Sequence, residues 1–373
     1  MATPPVPQEL NRFPPALREQ VLWVASRGQE RQGLIYFPPS IGWHIAAFQR
    51  PHHLARAFAT LGFAVVFDVS NAADPVYGFL EVEPDIFLFK GPAELLCHLP
   101  VTLVWAFTYN LHWRIRVSPQ APLVYDVIDA PEVFPYPQEL LQRNHRWALA
   151  FADYITCVSR GLLPELQTHR PDAIYLPNAC EAFRFDPCGV VHPQQEHWRK
   201  LLEGKKPLAL YVGSLARWFD FPLVEEVVAK AKEWHVALAG PVLDQTWPWE
   251  RLWQHPRVTY LGMVRYASLP FLLPLADVGL IPFAGEQVLR GLSPLKMYKF
   301  LAAGKPVVAT PFPEGQGVPG VFTANDSDGF INAFKRAKSL PKEEFQSLKR
   351  FAEKNSWLSR GRNAVKLFGR IGG

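Results

Sequence analysis

SPLKMYKFLAAGKPVVAT, residues 293–310, decides how this chain is read. A helix-forming run, 295–303, meets Gly304, Lys305 and Pro306, then passes straight into Val307-Val308-Ala309-Thr310. Glycine stops a helix by accepting a left-handed backbone, and a following proline keeps it from resuming. A short strand apolar on both faces belongs in a parallel sheet covered by helices. Ser293 and Pro294 have the residue types of an N-cap and a first helical position. Amide groups at such a start attract phosphate. The segment predicts α/β layering with an anion-seeking helix start.

The same alternation extends outward. Strand-like runs fall at 33–37, 64–69, 86–89, 103–107, 123–128, 154–158 and 173–176, with helical patterns at 48–60 and 138–150. A break follows at 185–189, continuing in polar residues to Lys206. Strands then resume at 208–212, 236–239, 258–261, 278–281 and 307–310, with helices at 223–233, 267–275 and 295–303. Two α/β runs predict two Rossmann-like domains, whose ligands belong at the carboxyl ends of strands. The expected division is a proline-rich extension with little fold of its own at 1–19, a first domain at 20–190, a second at 191–355 and a terminal helix at 356–373.

Bulk composition sets the frame. A chain of 373 residues suits two domains, and 49% hydrophobic against 20% charged residues marks a globular protein with a sizeable core. No apolar run reaches the roughly 18 residues of a membrane span. The N-terminus lacks the charged-then-apolar order of a secretory signal, so a cytoplasmic protein is expected. The four cysteines (Cys97, Cys157, Cys180, Cys188) form no C-x-x-C pair and have no histidine at metal spacing, which predicts reduced thiols and no metal centre. The +5 net charge is uneven. From Lys335 onward eleven basic residues face three glutamates, giving +8 there and −3 elsewhere. Such an end can hold a chain against an anionic membrane, or is simply a solvated helix face. No aromatic-interleaved basic patch points to nucleic acid.

Several residues have the chemistry of a site. Gly213 follows a strand and lets a ligand approach the backbone, and Arg217 can neutralise a diphosphate or be an ordinary surface arginine. Lys296 sits in a first helical turn, where the helix dipole disfavours it, so ligand charge would rationalise it. Asp126 falls within a strand and Asp129 at its end, where it either orients a hydroxyl or caps a turn. His112 follows another strand. His52 and His53 are adjacent and cannot both face a cleft. Asp277 reads as a structural cap.

Taken in order, V-G-S (212–214), L-A-G (238–240), Y-L-G (260–262), A-D-V-G-L-I-P (276–282), P-L-K-x-Y (294–298) and A-A-G-K-P-V-V (302–308) resemble the donor half of GT-B glycosyltransferases of the group 1, family-4-like branch. In the first half, W-x(5)-Q-R-P-x-H-L-A (43–55) and Y-D-x-x-D (125–129) resemble sugar transferases that build surface polysaccharides and cell-wall polymers, and P-N-A-C-E (177–181) resembles the branch's P-N-G-V-D.

The resemblance implies an α/β GT-B fold: two Rossmann-like domains facing across a cleft, with the C-terminal helix crossing back to the first. It implies transfer from a nucleotide-diphosphate sugar to a carbohydrate or lipid-linked acceptor, with retention and without cofactor or metal. Donor binding would fall to Gly213, Ser214, Arg217, Gly240, Gly262, Ser293, Pro294, Leu295, Lys296 and Lys299, with the base near Gly240 and Gly262. Catalysis would use Asp129, His112, Arg217 and Lys296. The acceptor side would hold Gly42 in a flexible loop, Trp43, His52, Asp126, Asp129 and Asn178. One departure stands out: the branch's E-x7-E pair, whose second glutamate binds the ribose, is here Gly291 and Lys299. A non-catalytic GT-B binding or scaffold protein and a sugar-nucleotide 2-epimerase are the competing readings. An NAD-dependent enzyme is disfavoured because no G-x-G-x-x-G follows the first strand.

Overall fold

The structure, a computed structural model, describes residues 8–46, 48–185 and 192–368. The expected break at 185–189 therefore lies almost wholly outside the described residues, as do Cys188, residues 1–7 of the 1–19 extension and the last five residues. The chain divides into two compact units. One comprises 1–158, 162–176 and 360–373; the other comprises 159–161 and 177–359. The passage to the second unit thus comes at Pro177 rather than near residue 190, and the last helix changes unit at Arg360 rather than at 356.

In the first unit the strands are β1 (Leu34–Phe37), β2 (Ala64–Asp68), β3 (Gly78–Glu83), β4 (Ile86–Lys90), β5 (Val101–Ala106), β6 (Leu123–Val127), β7 (Tyr154–Cys157) and β8 (Ile174–Tyr175). They form one sheet in the order β3-β4-β2-β1-β5-β6-β7-β8, parallel except for β3, which pairs antiparallel with β4. β3 was not expected from the sequence. Its GFLEVE is half exposed, as suits an edge strand. The helix Pro15–Glu30 was also unexpected and corrects the reading of 1–19 as unstructured extension. Pro15 occupies the first turn, where its missing N–H costs nothing, and Leu10, Leu17, Val21 and Val24 are buried in the core.

In the second unit the strands are β9 (Leu208–Val212), β10 (His235–Ala239), β11 (Val258–Gly262), β12 (Val278–Ile281), β13 (Val307–Ala309) and β14 (Val321–Thr323). Their order is β11-β10-β9-β12-β13-β14, with every pairing parallel. The decisive stretch ends its helix and starts its strand as read: the helix Leu295–Ala302 gives way to Gly304, whose φ is +67°, and β13 is buried throughout. The expected helix at 267–275 is instead broken into Tyr266–Ser268, Leu269–Leu272 and Leu273–Leu275, with prolines at 270 and 274 interrupting it.

Candidate active site

The second sheet reverses direction of growth between β9 and β12, and a doubly wound sheet offers its ligand crevice at the carboxyl ends flanking that reversal. Three glycine turns crowd this edge. Gly213 follows β9, Gly240 follows β10 and Gly262 closes β11, all with positive φ (+145°, +146° and +68°). They are cross-linked: Gly213 N donates to Ala239 O at 2.8 Å, Gly240 N to Gly262 O at 2.8 Å, and the Tyr260 hydroxyl to Gly240 O at 2.8 Å. A Cβ on Gly240 would stand 2.0 Å from Gly213 O, so the first two turns touch backbone to backbone.

Lys296 reaches this edge from the first turn of the helix Leu295–Ala302. Its Nζ lies 4.0 Å from the centre of the Tyr211 ring and 4.5 Å from that of Phe283, and 2.5 Å from where a Gly213 Cβ would be. Tyr211 ends in a hydroxyl that donates to Ser214 O at 2.6 Å. The ammonium therefore sits on an aromatic floor at the β9–β12 reversal, where ring faces attract cations. Lys299, one turn along the same helix face, places its Nζ 4.8 Å from the Tyr266 ring. Among the described residues no carboxylate or carbonyl pairs with either ammonium. Burial, reinforced by Lys299, holds the Lys296 amine well below the ordinary lysine range. Burial lowers Lys299 to about 8, against an upward pull from Cys180 and Glu181. Two enclosed amines with no ion-pair partner among the described residues have the chemistry to accept an anion.

The neighbouring residues have other tasks. Ser293 does not cap its helix. Pro294 holds the cap position, and the Ser293 hydroxyl accepts from Asn178 N at 3.3 Å while Asn178 Nδ2 donates to Ser293 O at 2.6 Å. Asn178, expected on the acceptor side, thus belongs to the second unit and fixes the start of the lysine-bearing helix. Arg217 is exposed, and its backbone N donates to Asp244. Asp277 accepts from Leu208 N at 2.7 Å, as a structural tie. The Glu181 carboxylate, near the aspartate position of the branch's pattern, accepts from the Tyr266 hydroxyl and pairs with Arg184.

In the first unit several acceptor-side expectations are corrected. Asp126 is fully buried and saturated: Arg50 Nε and Nη2 donate to it at 2.7 and 3.0 Å, Trp105 Nε1 at 2.9 Å and the Thr156 hydroxyl at 2.8 Å. It ties β6 to β5, β7 and the helix Arg50–Thr60. His52 is buried and held neutral, with its pKa lowered to about 4 by burial. Its Nδ1 accepts from Gln49 N and its Nε2 donates to Gly42 O at 2.9 Å, so it serves a capping box. Trp43 is buried against His52 and Phe67. The Gly42 loop is pinned by Asp74, which accepts from Trp43 N and His44 N. A Cβ on Gly42 would meet that carboxylate at 2.5 Å. His112 is exposed beside Trp113, its pKa lowered by desolvation and by Arg116 and Arg143.

Asp129 is different. It follows β6, burial pushes its carboxyl up to about 8, and only the Ala130 amide opposes this. The loop after the adjacent β5 carries Tyr109, stacked on Tyr136 at 5.5 Å and bonded to the Ser40 hydroxyl at 2.7 Å. Sequence reasoning passed over Tyr136, Tyr211 and Phe283. Tyr211 could have been found, because residues two apart on a strand share a face and Gly213 is two further on.

Two parallel sheets with these carboxyl-edge turns define the GT-B class, and comparisons with known proteins agree. Solved structures of similar fold include sucrose-phosphate synthase from Thermosynechococcus elongatus (TM-score 0.65, 17% identity, 91% of this chain and 98% of that one). HepE of Anabaena in complex with UDP and glucose is similar over 90% of this chain and 99% of its own (TM-score 0.65, 14% identity). WaaG, a glycosyltransferase involved in lipopolysaccharide biosynthesis, is similar over 91% and 100% (TM-score 0.61, 15% identity).

Residues 206–338, within the second unit, match the family model described as "Glycosyl transferases group 1". A curated relative, the "Putative teichuronic acid biosynthesis glycosyltransferase TuaH" of Bacillus subtilis (strain 168), is 29% identical over 117 residues. That alignment spans 31% of this chain and 30% of the relative's length.

Proposed function

We propose that the chain transfers a glycosyl group from a nucleotide-diphosphate sugar to an acceptor hydroxyl in the assembly of a cell-wall or surface polysaccharide. The observation that carries this reading is buried Lys296 beside Gly213 at the reversal of the second sheet, with Lys299 one helical turn away over the Tyr266 ring. A departing diphosphate gathers negative charge as the glycosidic bond breaks, and fixed positive groups in an enclosed site stabilise it. Lys296 answers the phosphates, helped by the amides at the start of the helix Leu295–Ala302. The base lies against the turns at Gly240 and Gly262. Lys299 stands where a ribose carboxylate would be and adds a second cation in its place. Charge compensation by side chains and amides suits transfer without a metal, and the group 1 match favours retention.

Asp129 is the acceptor-side group of this scheme. A carboxyl that titrates near neutrality can exchange a hydrogen bond with an incoming hydroxyl in either protonation state. The TuaH likeness and the HepE complex with UDP and glucose support a polysaccharide acceptor and a nucleotide sugar donor. The test is calorimetry with UDP, GDP, ADP and dTDP, followed by a transfer assay with the sugar form of whichever binds. Binding by one of them, abolished in Lys296→Ala, is expected. Failure of all four to bind favours a scaffold of the same fold.

A further inference from the structure

The first sheet reverses its direction of growth between β1 and β5, with β2 and β4 on one side and β6 and β7 on the other. A ligand crevice therefore belongs at the carboxyl ends of these two strands, where the loops after β1 and β5 diverge. The loops are tied at their base. The Ser40 and Tyr109 hydroxyls bond at 2.7 Å, and Asn110 Nδ2 donates to Pro38 O at 3.1 Å. Beyond this tie the β1 loop carries His44.

His44 and Asp74 have the geometry of a base and the group that orients it. His44 Nδ1 lies 2.8 Å from Asp74 Oδ1, and the imidazole side chain is 55% exposed against 3% for the carboxylate. A carboxylate only accepts, so Nδ1 carries the hydrogen and Nε2 of the neutral ring keeps its lone pair. Among the described residues Nε2 has no hydrogen-bond partner. Asp74 is itself fixed. It accepts from Trp43 N at 3.1 Å and His44 N at 2.9 Å, its carbonyl accepts from Val76 N at 2.9 Å, and Lys90 Nζ donates to Ala72 O at 2.7 Å. The two amide bonds pin the loop whatever side chain stands at 44, so the imidazole contact is surplus to the pinning. Glycine at 42 lets the pair form, because a Cβ there would displace the Asp74 carboxylate.

We propose that His44 is the catalytic base on the acceptor side, with Asp74 as its positioning residue. This rests on the glycosyl transfer proposed above. The acceptor oxygen bonds to the anomeric carbon while that carbon's bond to the diphosphate oxygen breaks. The electron pair leaves with the diphosphate, and the hydroxyl proton passes to His44 Nε2. Whichever face the hydroxyl attacks, it must give up that proton. Asp129 holds its own proton up to about pH 8, so near neutrality it donates a hydrogen bond to the acceptor and leaves the base's task to another group. Asp74 keeps the ring in one tautomer and steadies the imidazolium that forms, as a buried carboxylate does for a histidine base.

The test uses the whole chain with the nucleotide sugar identified by calorimetry. Slow hydrolysis of that donor, in which water replaces the acceptor, is followed beside transfer, so the assay does not wait on the acceptor's identity. His44→Ala and His44→Gln should each lower both rates by about 100-fold or more while nucleotide affinity stays unchanged. Free imidazole should restore rate to His44→Ala, which has room for it, and not to His44→Gln. A histidine that only supported the loop would show no such rescue. Asp74→Asn should slow transfer by about tenfold or more and move the His44 ring hydrogen from Nδ1 to Nε2 in nitrogen-15 spectra. If Asp74→Asn does not fold, the His44 variants still decide, since that side chain is exposed. An active parent beside an equally active His44→Gln overturns the base alone, as does a loss in His44→Ala that imidazole cannot repair. A parent that binds no nucleotide, or binds one without transfer or hydrolysis, overturns glycosyl transfer itself and the base with it.

Discussion

At the residue scale, the site is distinguished by groups that the fold leaves short of partners, and the contrast between two aspartates shows how to separate them from structural ones. Asp126 answers a buried Arg50, so Asp126→Ala strands that guanidinium and should cost about 3–5 kcal/mol, read as a lowered midpoint in urea. Asp129 has a folded-state pKa raised to about 8. Between its unfolded value and about 8 the unfolded chain is ionised while the folded chain holds the proton, so this group makes stability fall as pH rises through that window. Asp129→Asn should therefore melt higher than the parent at pH 7, with the difference vanishing below about pH 4. The lysines give a third expectation. Their folded pKa values lie below the unfolded one, and a bound diphosphate pulls them back up. Nucleotide binding at pH 8 should take up protons, detected as a binding heat that varies with the buffer's ionisation enthalpy. Affinity should weaken as pH climbs past about 8, and Lys296→Ala should remove most of the uptake. A binding heat independent of buffer would separate the lysines from the ligand. From sequence, Lys296 was identifiable because its position opposes the helix dipole. Asp129 was set apart by its place at the strand end, but the saturation of Asp126 was not legible, because the partners that consume it lie 76, 21 and 30 residues away.

At the scale of the element, the glycine turns carry the site's shape, and their tolerance should follow their surroundings. Gly240→Ala forces a methyl into Gly213 O at 2.0 Å as well as a positive φ, whereas Gly262 has a positive φ but nothing within 4 Å. Gly262→Ala should cost about 1–2 kcal/mol of backbone strain alone. Gly240→Ala should cost distinctly more, with the order measured by urea denaturation; equal costs would mean that the two turns do not touch in solution. Elements with strong local punctuation were legible. β9 and β12 coincide with the expected runs, and Gly304 with Pro306 marked the end of the lysine-bearing helix. Elements whose identity is tertiary were missed. β14 has only three residues, β3 gains its place from pairing with β4, and the helix Pro15–Glu30 was masked by prolines that suit a helix start as well as a loop.

At the scale of the whole molecule, the chain's last segment gives the first unit a dependence that sequence order conceals. The helix Trp357–Phe368 starts in the second unit and continues as part of the first. Within the first unit Gly361 lies so close to the helix Arg50–Thr60 and its end that a Cβ would stand 2.9 Å from Leu61 and 3.1 Å from Ala57, and Ala364 is fully buried. The anion site lies wholly in the second unit, on β9, the loop after β12 and the helix Leu295–Ala302. Ending the chain at Ser359 should accordingly loosen the first unit and spare the second. Hydrogen exchange should accelerate in the helix Arg50–Thr60 and in β1 and β2, while β9, β10 and β13 keep their protection. Ligand binding stabilises what it touches by mass action, so the nucleotide identified by calorimetry should still slow exchange around Gly213 and Lys296 in the shortened chain. Transfer, which on the proposed function uses Asp129 as well as Lys296, should fall much more than nucleotide affinity. Equal loss of protection in both sheets would mean that the two units unfold as one, and the assignment of donor binding to the second unit alone would fail with it.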